Sequence, residues 1–149
     1  MYEDRLGKNV HMLSRQIKRE IDLQVAKYGI TSVQAGMIQF IFEKSRRKDI
    51  FAKDIEKQFD IRRASIAGIL QNMEKNGLIK RETIDNDARL RRIVLTNKAL
   101  DIRKEVEKSI KKVEKQVIQG LTKEEIENYI KLTKKMSENL EEKERIKKW

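Results

Sequence analysis

The chain has 149 residues, of which 40% are charged and 38% hydrophobic, so much of it must be solvated helix surface around a limited core. With no Cys and a single His, it lacks the means for disulfide frameworks, thiolate zinc sites, Cys nucleophiles or a histidine metal cage, and no catalytic residue, metal or cofactor is expected. Met1-Tyr2-Glu3-Asp4-Arg5 holds no apolar signal core and no run reaches the ~20 apolar residues of a membrane span, which predicts a soluble cytoplasmic protein without a membrane partner, while a net charge of +11 suits a polyanion such as nucleic acid.

Apolar residues at Tyr2, Leu6, Val10, Leu13, Ile17, Ile21 and Val25 recur every three or four positions and trace one stripe of a long amphipathic helix. Gly29 can close that helix in the left-handed conformation, and Thr31-Ser32-Val33-Gln34 has the spacing of a capping box, so a second helix is predicted to start there. Its residues Met37, Ile38, Phe40, Ile41 and Phe42 are apolar on most sides and mark the buried centre; it ends in the basic stretch Lys44-Ser45-Arg46-Arg47-Lys48.

A short helix from Phe51 to Phe59 follows, with Ile55 and Phe59 inward. After a brief turn at Asp60-Ile61, a longer helix over Arg62 to Asn76 carries Ile66, Ile69, Leu70 and Met73 on one face. Two helices joined so tightly read as a helix-turn-helix. Beyond the stop at Asn76-Gly77, Leu78-Ile79-Lys80-Arg81-Glu82-Thr83 and Arg91-Arg92-Ile93-Val94-Leu95-Thr96 flank Asp85-Asn86-Asp87-Ala88, which predicts a β-hairpin with a polar, basic tip.

From Lys98 the helical spacing returns at Ile102, Val106, Ile110, Val113, Val117 and Leu121. Gly120 interrupts it, and a second capping box, Thr122-Lys123-Glu124-Glu125, opens a last helix with Ile126, Ile130, Met136 and Leu140. The stripes of the terminal helices are too narrow and isolated to be covered within one chain, and a helix in water is held mainly by packing such a face. A homodimer through residues 2–27 and 98–148 is the simplest cover. The expected organisation is therefore an N-terminal dimerisation helix over 1–30, a DNA-binding domain over 31–97 and C-terminal dimerisation helices over 98–149.

On the helix from Arg62, the polar residues Arg62, Arg63, Ser65, Gln71 and Asn72 lie away from the apolar face. Arg pairs with guanine and Gln or Asn with adenine, and the first turns of such a helix are what enters the major groove. For an isolated Arg-Arg pair a solvated helix face is the better reading. The adjoining hairpin changes the balance, because Arg89 and Arg91 on a thin wing can reach a narrow minor groove while Asp87 pairs with a nearby Arg, Arg91 or one of the helix, to hold the wing's shape.

The run Asp54-Ile55, Ser65-Ile66, Leu70, Met73-Glu74-Lys75-Asn76-Gly77-Leu78-Ile79, with Asp87-Ala88-Arg89 and Leu95-Thr96, resembles the MarR family of transcriptional regulators. The flanking long helices and the Thr-x-x-Gln start at Thr31 extend the resemblance over nearly the whole chain. It implies a mainly α fold with a small β-hairpin wing: a winged helix-turn-helix homodimer with long N- and C-terminal dimerisation helices, its Arg62 to Asn76 helix in the major groove of a pseudo-palindromic operator. Two positions depart from the family pattern: Gly68 stands where a polar residue is common, and Arg62 where a Ser usually caps the helix.

The resemblance further implies a repressor released by a small aromatic or lipophilic ligand held between the dimerisation helices and the DNA-binding lobe. His11, Met12, Tyr28, Met37 and Phe40 could line such a pocket, although apolar residues at helical spacing are more often plain core. A non-specific architectural DNA-binding protein without effector control is the chief rival. An RNA-binding protein, a helical adaptor or an enzyme would leave the wing unexplained, and no phosphate loop, nucleophile set or metal spacing supports catalysis.

Overall fold

The computed structural model describes residues 5–59 and 61–147, with side chains followed to residue 141. In chain order it contains α1 (Leu6–Val25), α2 (Ser32–Ser45), α3 (Ala52–Phe59), α4 (Arg63–Lys75), β1 (Ile79–Ile84), β2 (Asp87–Leu95), α5 (Asn97–Val117) and α6 (Lys123–Lys147). The chain forms two compact units, residues 1–113 and residues 114–149. No described helix is long and apolar enough to cross a membrane.

Within the first unit, burial along α1 rises with the chain: Leu6 and Val10 are exposed, Ile17 and Ile21 half-buried, and Val25 fully buried. Tyr2, the first member of the predicted stripe, lies outside the described residues. A single 3-10 turn over Ala26–Tyr28 ends at Gly29, whose φ of 72° is the left-handed conformation a Cβ disfavours. The capping box then forms as predicted, since Thr31 Oγ1 accepts the Gln34 N–H and Gln34 Oε1 accepts the Thr31 N–H.

α2 is the hub, with Ala35, Met37, Ile38 and Ile41 without accessible surface. Around it close Ile55 of α3, Ile66, Leu70 and Met73 of α4, Ile79 and Ile93 of the hairpin, and Ala99 and Val106 of α5. Each large side chain buried in this way contributes about 1.5–3 kcal/mol relative to exposure, and trimming one such as Leu70 to Ala should cost about 2–5 kcal/mol. Phe40 crosses Phe59 edge to face, with ring centroids 5.8 Å apart.

Gly77 (φ 71°) turns the chain out of α4 into β1. Thr96 explains why Leu-Thr precedes the next helix: its N–H donates to the Leu78 carbonyl, its hydroxyl donates to the Gly77 carbonyl, and its Oγ1 accepts the Ala99 N–H to cap α5. In the second unit, Thr122 and Glu125 make the second predicted capping box at the start of α6. Among the described side chains of α6 none is buried; Tyr129, Ile130, Leu132 and Leu140 each expose more than half of their surface.

Candidate nucleic-acid interface

The apolar face of α4 dictates its placement. Ile66, Leu70 and Met73 lock one side into the core, which leaves Arg63, Ala64, Ser65, Ala67, Gly68 and Gln71 on the exposed side. Arg62 occupies the N-cap position and supplies no side-chain cap, so the first-turn N–H groups and the positive end of the helix dipole remain unmatched by that side chain. The Arg63 side chain is 90% exposed, and among the described residues its nearest carboxylate, on Glu56, lies 3.7 Å away. At that exposure the pair contributes little and leaves the guanidinium available.

α3 supports α4 from behind. Asp54 anchors its first turn, its carboxylate accepting the Phe51 N–H at 2.9 Å and the Lys48 ammonium at 3.3 Å. Burial works to raise the Asp54 pKa, but the Phe51 N–H together with the charges of Lys48 and Lys53 outweighs it and holds the group below its ordinary value.

The wing is longer and tighter than the sequence spacing predicts. Its strands run to Ile84 and from Asp87, so the turn is Asp85-Asn86 alone, with Asn86 at φ 60°. Asn tolerates that left-handed backbone better than most residues with a Cβ. Thr83 and Ile84 are adjacent on β1, yet their partners Arg91 and Asp87 are separated by Ala88, Arg89 and Leu90. This bulge re-aims the side chains it carries and leaves Arg89, Leu90 and Arg91 exposed.

Asp87 holds this bulge in a different way from the expected ion pair. Its Oδ1 accepts the backbone N–H of Arg89 at 2.9 Å, an Asx-type turn whose donor is main chain. The Arg89 guanidinium consequently stays unengaged by Asp87. Arg91 reaches back instead, donating from its guanidinium to the Arg81 carbonyl on the facing strand at 3.0 Å.

Two arginines that sequence reasoning did not single out hold the wing to the body. Arg92 bonds Glu82 directly across the hairpin at 2.8 Å and approaches Asp49 at 3.7 Å; the hydrogen bond and charge of Glu82 raise its pKa above the arginine norm. Arg81 Nε lies 3.3 Å from Glu74 of α4. The Glu82–Arg92 pairing could have been found from a correct hairpin register, since opposite charges favour directly facing positions.

Residues 45–90, from the end of α2 through the wing turn and into β2, match the model of the MarR family. Over a far larger share, the chain is similar to the transcription regulator MarR from Oenococcus oeni, at 28% identity with a TM-score of 0.72, covering 90% of this chain and 99% of that one. The S. aureus MepR–DNA complex shares the fold at 21% identity, TM-score 0.82, covering 94% and 99% of the two chains. The helix-turn-helix and wing thus match the MarR family, and over nearly its whole length the chain shares the fold of MarR structures. A third solved structure, the organohalide-sensing transcriptional regulator RdhR in its 2,4-dichlorophenol-bound form, matches at 19% identity and TM-score 0.80, covering 90% and 78%.

The predicted DNA contacts separate into two groups. Arg62, Arg63, Ser65 and Gln71 are exposed on α4, as are Arg89 and Arg91 on the wing. Asn72 is exposed too, but its side chain is engaged: its Oδ1 accepts from Gln34 Nε2 at 3.0 Å and from Asn76 Nδ2 at 2.9 Å. No sequence signal links Gln34 to a residue 38 positions away.

The five candidate pocket residues do not gather around one space within the protomer. Met37 has no accessible surface, and Phe40 packs on Phe59; both serve the core because α2 is enclosed on nearly every side. His11 and Met12 are exposed on α1, with Met12 beside Arg15, Gln16 and Arg19 of its own helix. Tyr28 is half-buried beside the Lys27 ammonium.

Proposed function

We propose that the chain works as a homodimer that binds a pseudo-palindromic operator and represses transcription from it, with release by a small aromatic or lipophilic ligand. The observation that carries this reading is the pairing of an anchored α4, whose exposed side offers Arg62, Arg63, Ser65 and Gln71, with a bulged wing that offers Arg89 and Arg91. The first set is suited to base edges in the major groove and the second to the minor groove beside it. Two-fold symmetry then calls for half-sites about one helical turn apart. The exposed apolar residues of α1 and α6 supply the surface for the second copy, and the dichlorophenol-bound RdhR supports a small aromatic effector.

Selection of bound sites from random duplex DNA tests the reading, followed by thermal-shift and DNA-release assays with small aromatic acids and phenols. A regulator should yield one palindromic consensus that survives an excess of random competitor. Displacement in simple proportion to competitor mass would instead favour a non-specific architectural protein, for which the charge of +11 is sufficient.

A further inference from the structure

We infer that the Gln34–Asn72 hydrogen bond is a strut that sets the rotation and depth of α4 against DNA, and that Asn72 is a positioning residue for sequence recognition. The inference rests on the operator-binding reading given above. Gln34 is 8% exposed and uses both ends of its amide, Oε1 accepting from the Thr31 N–H at 3.0 Å and Nε2 donating to Asn72 Oδ1 at 3.0 Å. The same Asn72 oxygen accepts from Asn76 one turn on, so both of its lone pairs are occupied. Bidentate recognition of adenine needs the oxygen and the amide nitrogen of one side chain together. Asn72 could offer that pair only by giving up two internal bonds.

The strut is also tied to α1. Asp22 Oδ1 of α1 accepts the Ser32 N–H at 2.6 Å, beside the Thr31–Gln34 box. Hydrogen bonds therefore run from α1 through the first turn of α2 to the C-terminal half of α4. The apolar packing of Ile66, Leu70 and Met73 holds α4 strongly but without direction; a hydrogen bond is directional and resists rotation about the helix axis and sliding along it. Asn72 lies nine residues beyond Arg63, about 13 Å along the helix. Over that lever a tilt of about 5° moves Arg63 by about 1 Å, more than a preorganised recognition geometry tolerates.

The test measures fluorescence anisotropy on the full-length protein with its selected operator and with random duplex, for Asn72→Ala, Gln34→Met and their combination. Thr31→Val serves as control, because it breaks the capping box while leaving the Gln34–Asn72 bond. The strut predicts a fall of about tenfold in the operator-to-random affinity ratio for Asn72→Ala, given the ordinary worth of a hydrogen bond lost in both protomers. Gln34→Met should show the same fall, the combination no further fall, and the loss should spread over all base pairs read by the first half of α4. Thr31→Val should lower the melting temperature and leave the ratio unchanged. A loss confined to one base pair in Asn72→Ala, with Gln34→Met neutral in the ratio, would make Asn72 a base reader and overturn the inference. An unmodified chain with no preference for any site overturns the regulator reading itself, and the strut's role in recognition with it.

Discussion

Replacing Leu6 and Val10 with Asp should convert a dimer into monomers. These side chains keep 60% and 49% of their surface exposed and sit one turn apart on α1. Full burial of a Leu or Val contributes about 1.5–3 kcal/mol, so about half of that, ~1 kcal/mol each, remains to be gained against a second copy. Two side chains in each of two protomers amount to about 4 kcal/mol, or about three orders of magnitude in the dimer dissociation constant. Desolvation of the new carboxylates makes this a lower bound. Ile17 is left intact because it is half-buried within its own protomer, where a charge would damage the fold as well. Sedimentation velocity over a concentration series reads the dissociation constant, circular dichroism checks that the melting temperature of the monomer is retained, and anisotropy should show tight operator binding lost with avidity. An unmodified protein that is monomeric at micromolar concentration, or a double variant that associates as well as its parent, would refute the reasoning.

Asp87→Ala should weaken operator binding with little change in melting temperature, because it removes the acceptor of the Arg89 N–H from an exposed bulge; Asp87→Asn, which keeps an acceptor oxygen, should restore much of the affinity, and equal binding by all three proteins would reduce Asp87 to a surface charge. Arg63→Ala should relax base preference at one position of each half-site by about 1–3 kcal/mol, read by binding to single-substituted operators; an unchanged preference profile would remove Arg63 from the readout. Gly68→Ala should raise stability by about 0.5–1 kcal/mol in urea unfolding, since Gly is unfavourable inside a helix and an added Cβ there meets nothing within 4 Å; a loss of operator affinity alongside would show close backbone approach to DNA. The lowered pKa of Asp54 means that its ionised form stabilises the fold above the unfolded aspartate value of about 3.9, and that this contribution is lost as pH falls through the folded value. Asp54→Asn should therefore be less stable than the parent at neutral pH and lose less stability on acidification, and parallel stability curves for the two proteins below about pH 4 would contradict this.

The sequence alone determined everything that depends on neighbours along the chain. Apolar spacing placed the helices, Gly29 and Gly77 their ends, and Thr31-Gln34 and Thr122-Glu125 their starts, because a capping box needs only residues three apart. Exposure of Arg62, Arg63 and Gln71 followed from the inward face of α4 in the same way. The tertiary structure decided whatever depends on distance in space. Asn72 reads as an unengaged polar residue until α2 brings the Gln34 amide within 3.0 Å of its side-chain oxygen. Asp87 reads as half of an ion pair until the bulge delivers the Arg89 N–H to its carboxylate. Met37 and Phe40 are apolar residues that suit a pocket or a core equally, and only the enclosure of α2 by α3, α4 and the hairpin makes them core. Periodicity assigns a face to a residue, but which groups arrive at that face is set by how the helices pack, and a polar group left in such a place takes the partner the packing supplies.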